Sequence, residues 1–388
     1  MEFSTSAQGY TTQSVMSSIA TSSIYNGFTT QVLIPFVSNA ANSPIPFTEK
    51  VRVAITIGSG TDSKDLSPSI DTGTCGFVLS TNSFPRWPPA NLSDYPVGWE
   101  FLSSSKKLYS GHWIPQDVSF RQAGVQVKSQ IPILAVEDTV ICPHYQATDK
   151  NVCPTPVGEE PPAVTHLPER ISLFGVGFGR QHDGQPQGNP DKNAFLNIVS
   201  INNTPTASDT KFRNGYIITR EGIIIGLTES NTDGYSFSEL NEGMHHATHP
   251  LDWQPVSACI AVDPMASCVE GTALIDTGIT HSYLTLPLDS PIHRHDTESP
   301  SSKALVKALD DGSVVHITFG TGVNRVEDTF TVVNSTNTMI TDHTPDMIIT
   351  TLSAPAVKPP FINTGTHFLR TWNVAFDAGG GRFGLKRV

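Results

Sequence analysis

The sequence predicts an all-β protein built as two lobes, and three observations lead there. At 388 residues the chain is longer than one ordinary domain and suits two of somewhat under 200 residues. Charged residues make up only 15%, while Ser, Thr, Val and Ile are abundant, which favours strands over charged helices. One internal repeat stands out: IDTGTCGFVLS at 70–80 is echoed by IDTGITHSYLTLP at 275–287. Its two aspartates, Asp71 and Asp276, lie 276 − 71 = 205 positions apart, a little over half the chain, so a duplicated lobe explains the spacing.

Taken in order, residues 1–45 are Ser/Thr-rich with weak periodicity and read as an arm or an outer strand. Residues 46–210 form the expected first lobe, carrying Asp71, and 211–388 the second, carrying Asp276. KVRVAITIGSG, from Lys50, alternates apolar and polar positions and predicts a strand ending in a glycine turn. A loop rich in Pro and Trp follows the first repeat. SGHWIPQDVSF and VQVKSQIPILAVED then predict paired strands, and ERISLFGVGFG a buried strand running into the polar loop at 180–193. Strand-like segments resume at GYIITREGIIIGLT and continue to a C-terminal hairpin with a glycine turn, WNVAFDAGGGRFGLKRV. Helix is expected only in short pieces, at SSKALVKALDD (301–311) and FLNIVS (195–200).

The net charge of −12 argues against a nucleic-acid partner, because phosphate binding needs a basic face. No stretch approaches the ~18–20 apolar residues that span a membrane. The N-terminus has neither the basic start nor the apolar run of a secretory signal. An intracellular protein is expected if Met1 is the native start, and a secreted one if a leader was removed. Cys142 and Cys153 bracket a polar loop, and Cys259 and Cys268 flank a hairpin turn at Asp263-Pro264. Two bridges and a lone Cys75 suit an oxidising compartment; reduced, buried thiols are the competing expectation.

An Asp-Thr-Gly triplet is a sensible way to present a carboxylate. The aspartate ends a strand, the glycine permits a tight turn, and the threonine hydroxyl can bond backbone across a lobe interface. Two carboxyls ~3 Å apart cannot both ionise, so they share one proton. One then serves as general base towards a bound water and the other as general acid towards a carbonyl. No metal or other cofactor is required.

With these residues the sequence resembles the pepsin-like aspartic peptidase family over about residues 45–388. Beyond the two triplets, SLFGVGFG at 172–179 resembles the apolar-apolar-Gly segment behind the first half-site, with Leu173, Phe174 and Gly175 behind the Asp71 loop. HFLRTWNVAFDAGGGRFGLKRV at 367–388 resembles the family's C-terminal stretch. The resemblance implies a bilobal acid-protease fold with a central cleft, with Asp71 and Asp276 as the catalytic pair on tight turns at Gly73 and Gly278. It implies Thr72 and Thr277 as interlocking threonines and Thr74 as the hydroxyl on the outer oxygen of Asp71. The sequence departs from the family pattern at four places. Ile279 stands where the second motif has Ser or Thr, which removes a donor from Asp276 and should make the pair easier to protonate. Val78 replaces a tryptophan, and Asn363-Thr364-Gly365 replaces an apolar pair before glycine. Aligning Ser110-Gly111 with the family's Thr/Ser-Gly puts Ser104 or its neighbours at the usual flap tyrosine, with Tyr109 and Trp113 as nearby substitutes.

The expected function is an aspartic endopeptidase, monomeric, taking an extended peptide in the cleft. A repurposed enzyme applying the same pair to a small-molecule metabolite is the alternative, and a non-catalytic binding or inhibitor protein the third. Other motifs have plainer readings. His245, His246 and His249 lack a helical pattern and acids at ligand spacing, so a solvated loop is expected rather than zinc. Gly175, Gly177 and Gly179 look like a phosphate loop but lack its strand–helix setting. Cys75 has no adjacent base and reads as small buried packing.

Overall fold

The structure is a computed structural model and describes residues 24–37, 47–122, 124–179, 188–333 and 343–388. Much of the expected N-terminal arm (1–23 and 38–46) and the first part of the polar loop (180–187) lie outside these residues. The described chain is mostly strand, arranged in sheets of eleven, nine and six strands. The eleven-stranded sheet draws on residues 55–205 and the nine-stranded one on 256–363. The six-stranded sheet takes strands from both ends of the chain: Val32–Pro35 at its edge, then Gly222–Ile225, Tyr216–Ile218, Trp372–Asp377, Arg382–Arg387 and Ser236–Glu239. No described helix is long and apolar enough to cross a membrane.

Binary patterning explains why these segments are strands. Val51, Val53, Ile55 and Ile57 are buried while the residues between them are not, a period of two that puts one face on the core, although the strand expected from Lys50 begins only at Ile55 and ends at Ser59. Val256–Val262 alternates in the same way and pairs with Val269–Leu274. Cores of Phe77, Phe120, Phe174 and Phe195 on one side, and of Ile260, Ile317, Phe319 and Phe368 on the other, fill the lobes.

Both expected helices are strands or turns. Leu305–Leu309 pairs antiparallel with Arg294–Glu298 and also meets Ile348–Ser353. Segment 195–200 turns and then enters the strand Ile198–Ile201, which pairs with 127–129. Segments this short have little helical stability of their own, so neighbouring strands decide their state. Both cysteine pairs are disulfides, Cys142–Cys153 and Cys259–Cys268. Cys75 is a free, buried thiol, and burial pushes its pKa up to about 12, leaving it unreactive.

The sequence repeat corresponds to a repeated strand arrangement. In the first lobe Ser172–Val176 runs parallel to Ser69–Asp71 and antiparallel to Cys75–Ser80, with Gly175 opposite Asp71. In the second, Phe361–Asn363 runs parallel to Val269–Leu274 and antiparallel to Ser282–Pro287. The Asp-Thr-Gly loop of each lobe therefore emerges between the same three strands, and the two loops meet.

Candidate active site

Asp71 ends its strand, and the N–H of Gly73 donates back to its Oδ1 at 2.8 Å. In the second lobe the N–H of Gly278 donates to Oδ1 of Asp276 at 2.7 Å. The threonines cross between lobes. The Thr72 N–H donates to Thr277 Oγ1 and the Thr277 N–H to Thr72 Oγ1, both at 3.0 Å. Each hydroxyl donates onward to a carbonyl of the opposite lobe, Thr72 to Ile275 at 2.5 Å and Thr277 to Ile70 at 3.0 Å. Thr72 and Thr277 are almost wholly buried, so these four bonds are shielded from competing water.

This lattice brings the two carboxyls close enough for the charge of Asp276 to raise the proton affinity of Asp71. Each covers the glycine of the opposite loop: a Cβ on Gly73 would run into the Asp276 carboxyl, and one on Gly278 into that of Asp71. Both glycines are therefore required by cross-lobe closeness. Burial, and next the charge of Asp276, raise Asp71 from 3.8 to about 7, while Lys50 acts in the opposite sense.

No family model and no curated protein sequence matches the chain. Among solved structures it is similar to the crystal structure of an aspartic proteinase from Irpex lacteus, with 12% identity and a TM-score of 0.50 over 92% of this chain and 98% of that one. The chain has the bilobal pepsin-like fold.

Within the pepsin-like fold, the surroundings of the two carboxyls depart from expectation at two points. The Thr74 hydroxyl, expected on Asp71, donates instead to Oε1 of Glu100 at 2.7 Å. Ile279 indeed offers no side-chain donor to Asp276, but Asn363 Nδ2 donates to its Oδ2 at 2.6 Å and restores the bond. Asn363 is held in place because its own Oδ1 accepts the Gly365 N–H at 3.0 Å. The first-lobe counterpart of Asn363 by strand position is Leu173, which faces Val78 as Asn363 faces Tyr283. Leu173 has no donor to give, so the two half-sites are chemically unequal.

The flap is the hairpin of Val97–Leu102 and Lys107–Gln122, whose tip is Ser103, Ser104, Ser105 and Lys106. Tyr109 and Trp113 are not at the tip. They pack lower down with Val78, Leu134 and Val136. Lys192 lies 5.2 Å from the centre of the Trp113 ring. On the second lobe, burial lowers the pKa of His281 against the pull of Asp276 and Asp346, and its Nε2 lies 3.1 Å from the Tyr283 hydroxyl.

Asn363 and Glu100 were missed as site residues. Asn363 carried a signal, being polar where the resemblance has an apolar residue. Glu100 carried a weaker one, a single acid between Trp99 and Phe101 in a sparsely charged strand.

Proposed function

We propose that the chain is an aspartic-type endopeptidase in which Asp71 and Asp276 share one proton and activate water. The observation that carries this reading is the reciprocal threonine lattice that holds two carboxyls from two lobes face to face. A structural pair of acids has no need of such closeness, which costs free energy by burying like charges. In the proposed reaction, an extended peptide lies as a strand beneath the flap. The ionised carboxyl takes a proton from the bound water as its oxygen attacks the scissile carbonyl. The protonated carboxyl gives its proton to the carbonyl oxygen, forming a gem-diol. Collapse of the diol passes a proton to the amide nitrogen, breaks the C–N bond and returns the pair to its single-proton state. The scheme uses no cofactor, no nucleic acid and one copy of the chain.

Because Asp71 holds its proton up to about pH 7, the singly protonated pair should persist closer to neutrality than two ordinary carboxyls would allow. Incubation with a denatured protein from about pH 3 to about pH 8 should give pepstatin-sensitive cleavage whose basic limb approaches neutral pH. Asp71→Asn and Asp276→Asn should each lower the rate by at least ~10³-fold. Folded protein that cleaves nothing across this range would remove the reading.

The polar flap tip, with no aromatic ring at Ser103–Lys106, favours a second reading in which the pair acts on a small molecule. An inert peptide assay, together with turnover of a metabolite that needs both aspartates, would decide for it.

A further inference from the structure

Three acids, not two, meet at the first half-site. Glu100 is carried on the first strand of the flap, is 1% exposed, and takes the Thr74 hydroxyl. A hydroxyl has one proton to donate, so Thr74 cannot serve Asp71 while it serves Glu100. The donor count on the pair is then unequal. Asp276 accepts two N–H groups, from Gly278 and Asn363, and Asp71 accepts one, from Gly73. Donors stabilise the ionised form of a carboxyl and leave the poorer acceptor to hold the proton.

Resting on the reading of the pair as an acid and a base, we propose that Glu100 is a positioning residue that draws the Thr74 hydroxyl away from Asp71, so that Asp71 carries the shared proton and Asp276 the charge. The same bond ties the flap to the Asp71 loop, so the proton's place and the flap's position are set together. Raised proton affinity at Asp71 agrees with this. Among the described residues, charged and titratable groups face Asp71 and Glu100 from several elements. Asp71 meets Asp276 from the second lobe and Lys50 from the segment ahead of the strand Ile55–Ser59. Glu100 meets Tyr109 across the hairpin and Cys75 in the Asp71 loop, with Lys192 and Asp191 beyond the thiol. Of these, Lys50 opposes protonation of Asp71 and Asp276 favours it.

The test is a carboxyl ¹³C NMR titration of the full chain, which needs no substrate. One carboxyl should titrate near neutral pH and vanish in Asp71→Asn but not in Asp276→Asn. Glu100→Leu should release the Thr74 hydroxyl to Asp71 and lower that titration by about one unit, a ~10-fold loss of proton affinity. Glu100→Gln keeps an oxygen acceptor and should restore the wild-type titration. Thr74→Val should leave Asp71 unmoved and cancel the effect of Glu100→Leu in the double variant. A rise at Asp71 in Thr74→Val alone would overturn the proposal, as would equal shifts in Glu100→Gln and Glu100→Leu. Should Glu100→Leu fail to fold, Thr74→Val decides, since it preserves shape. If the titration behaves as stated and no peptide is cleaved, the peptidase reading falls and this one stands.

Discussion

Asp71 is a liability as well as a reagent. Its folded pKa, about 7, lies above its ordinary 3.8. The folded chain therefore binds a proton more tightly than the unfolded one, and the associated stability is complete below about pH 4. It is lost as pH rises through about 7, where the folded carboxyl must ionise beside Asp276. Asp71→Asn removes that ionisation. Thermal unfolding should show the variant more stable than wild type at pH 8, by on the order of a few kcal/mol, with little difference at pH 3. An offset equal at both pH values would refute the argument. Asn363 and Ile279 show why single residues are hard to judge along a chain. Ile279 has no donor to give, yet a donor arrives from 363, a strand away, and only the pairing of Asn363 with Leu274 and Tyr283 brings it there.

Among strands, the flap hairpin is the element on which most of the site depends. Its long second strand pairs with Val125–Ile141 over its whole length, with a bulge between Ser110 and Gly111. A Cβ on Gly111 would collide with the Ala135 carbonyl, a backbone atom that cannot swing aside. Gly111→Val should therefore open the bulge and cost about 1–3 kcal/mol. Hydrogen exchange should speed up in Val97–Leu102 and Lys107–Gln122 while the nine-stranded sheet keeps its protection. Uniform loss of protection would contradict a local effect. The flap's paired strands were legible from alternation, because one face of each is buried. Its tip was not legible, since register depends on where the bulge falls. The two expected helices failed for a related reason: apolar residues such as Ala308 and Leu309 fit either period, and a partner strand chose.

The six-stranded sheet brings the Val32–Pro35 strand together with strands from 216–239 and 372–387, and one of its residues, Asp377, is fully buried. Its Oδ1 accepts from Arg213 Nε at 2.8 Å and the Gly380 N–H at 3.0 Å, and its Oδ2 accepts from the Tyr25 hydroxyl at 3.1 Å. Arg382 completes the cluster at 3.4 Å. Tyr25 precedes the edge strand, Arg213 precedes the strand Tyr216–Ile218 and Asp377 ends a C-terminal strand, so one carboxylate gathers three distant parts of the chain. Tyr216, in the same sheet, donates to the Val176 carbonyl at 2.5 Å, directly behind the strand that flanks Asp71. Asp377→Ala strands buried donors and should cost about 3–5 kcal/mol in chemical denaturation. A loss under ~1 kcal/mol would show that the cluster contributes little to the stability of the fold.

The amino-acid sequence by itself determined the all-β architecture, because burial on one face imposes a period of two that survives in the linear order. It also pointed to Asp71 and Asp276 together, because a duplicated segment is visible without coordinates. Only the tertiary structure decided which groups bond those aspartates. Hydrogen-bond partners such as Glu100 for Thr74 and Asn363 for Asp276 are chosen by distance in space, and strand pairing sets that distance between residues 26 and 87 positions apart.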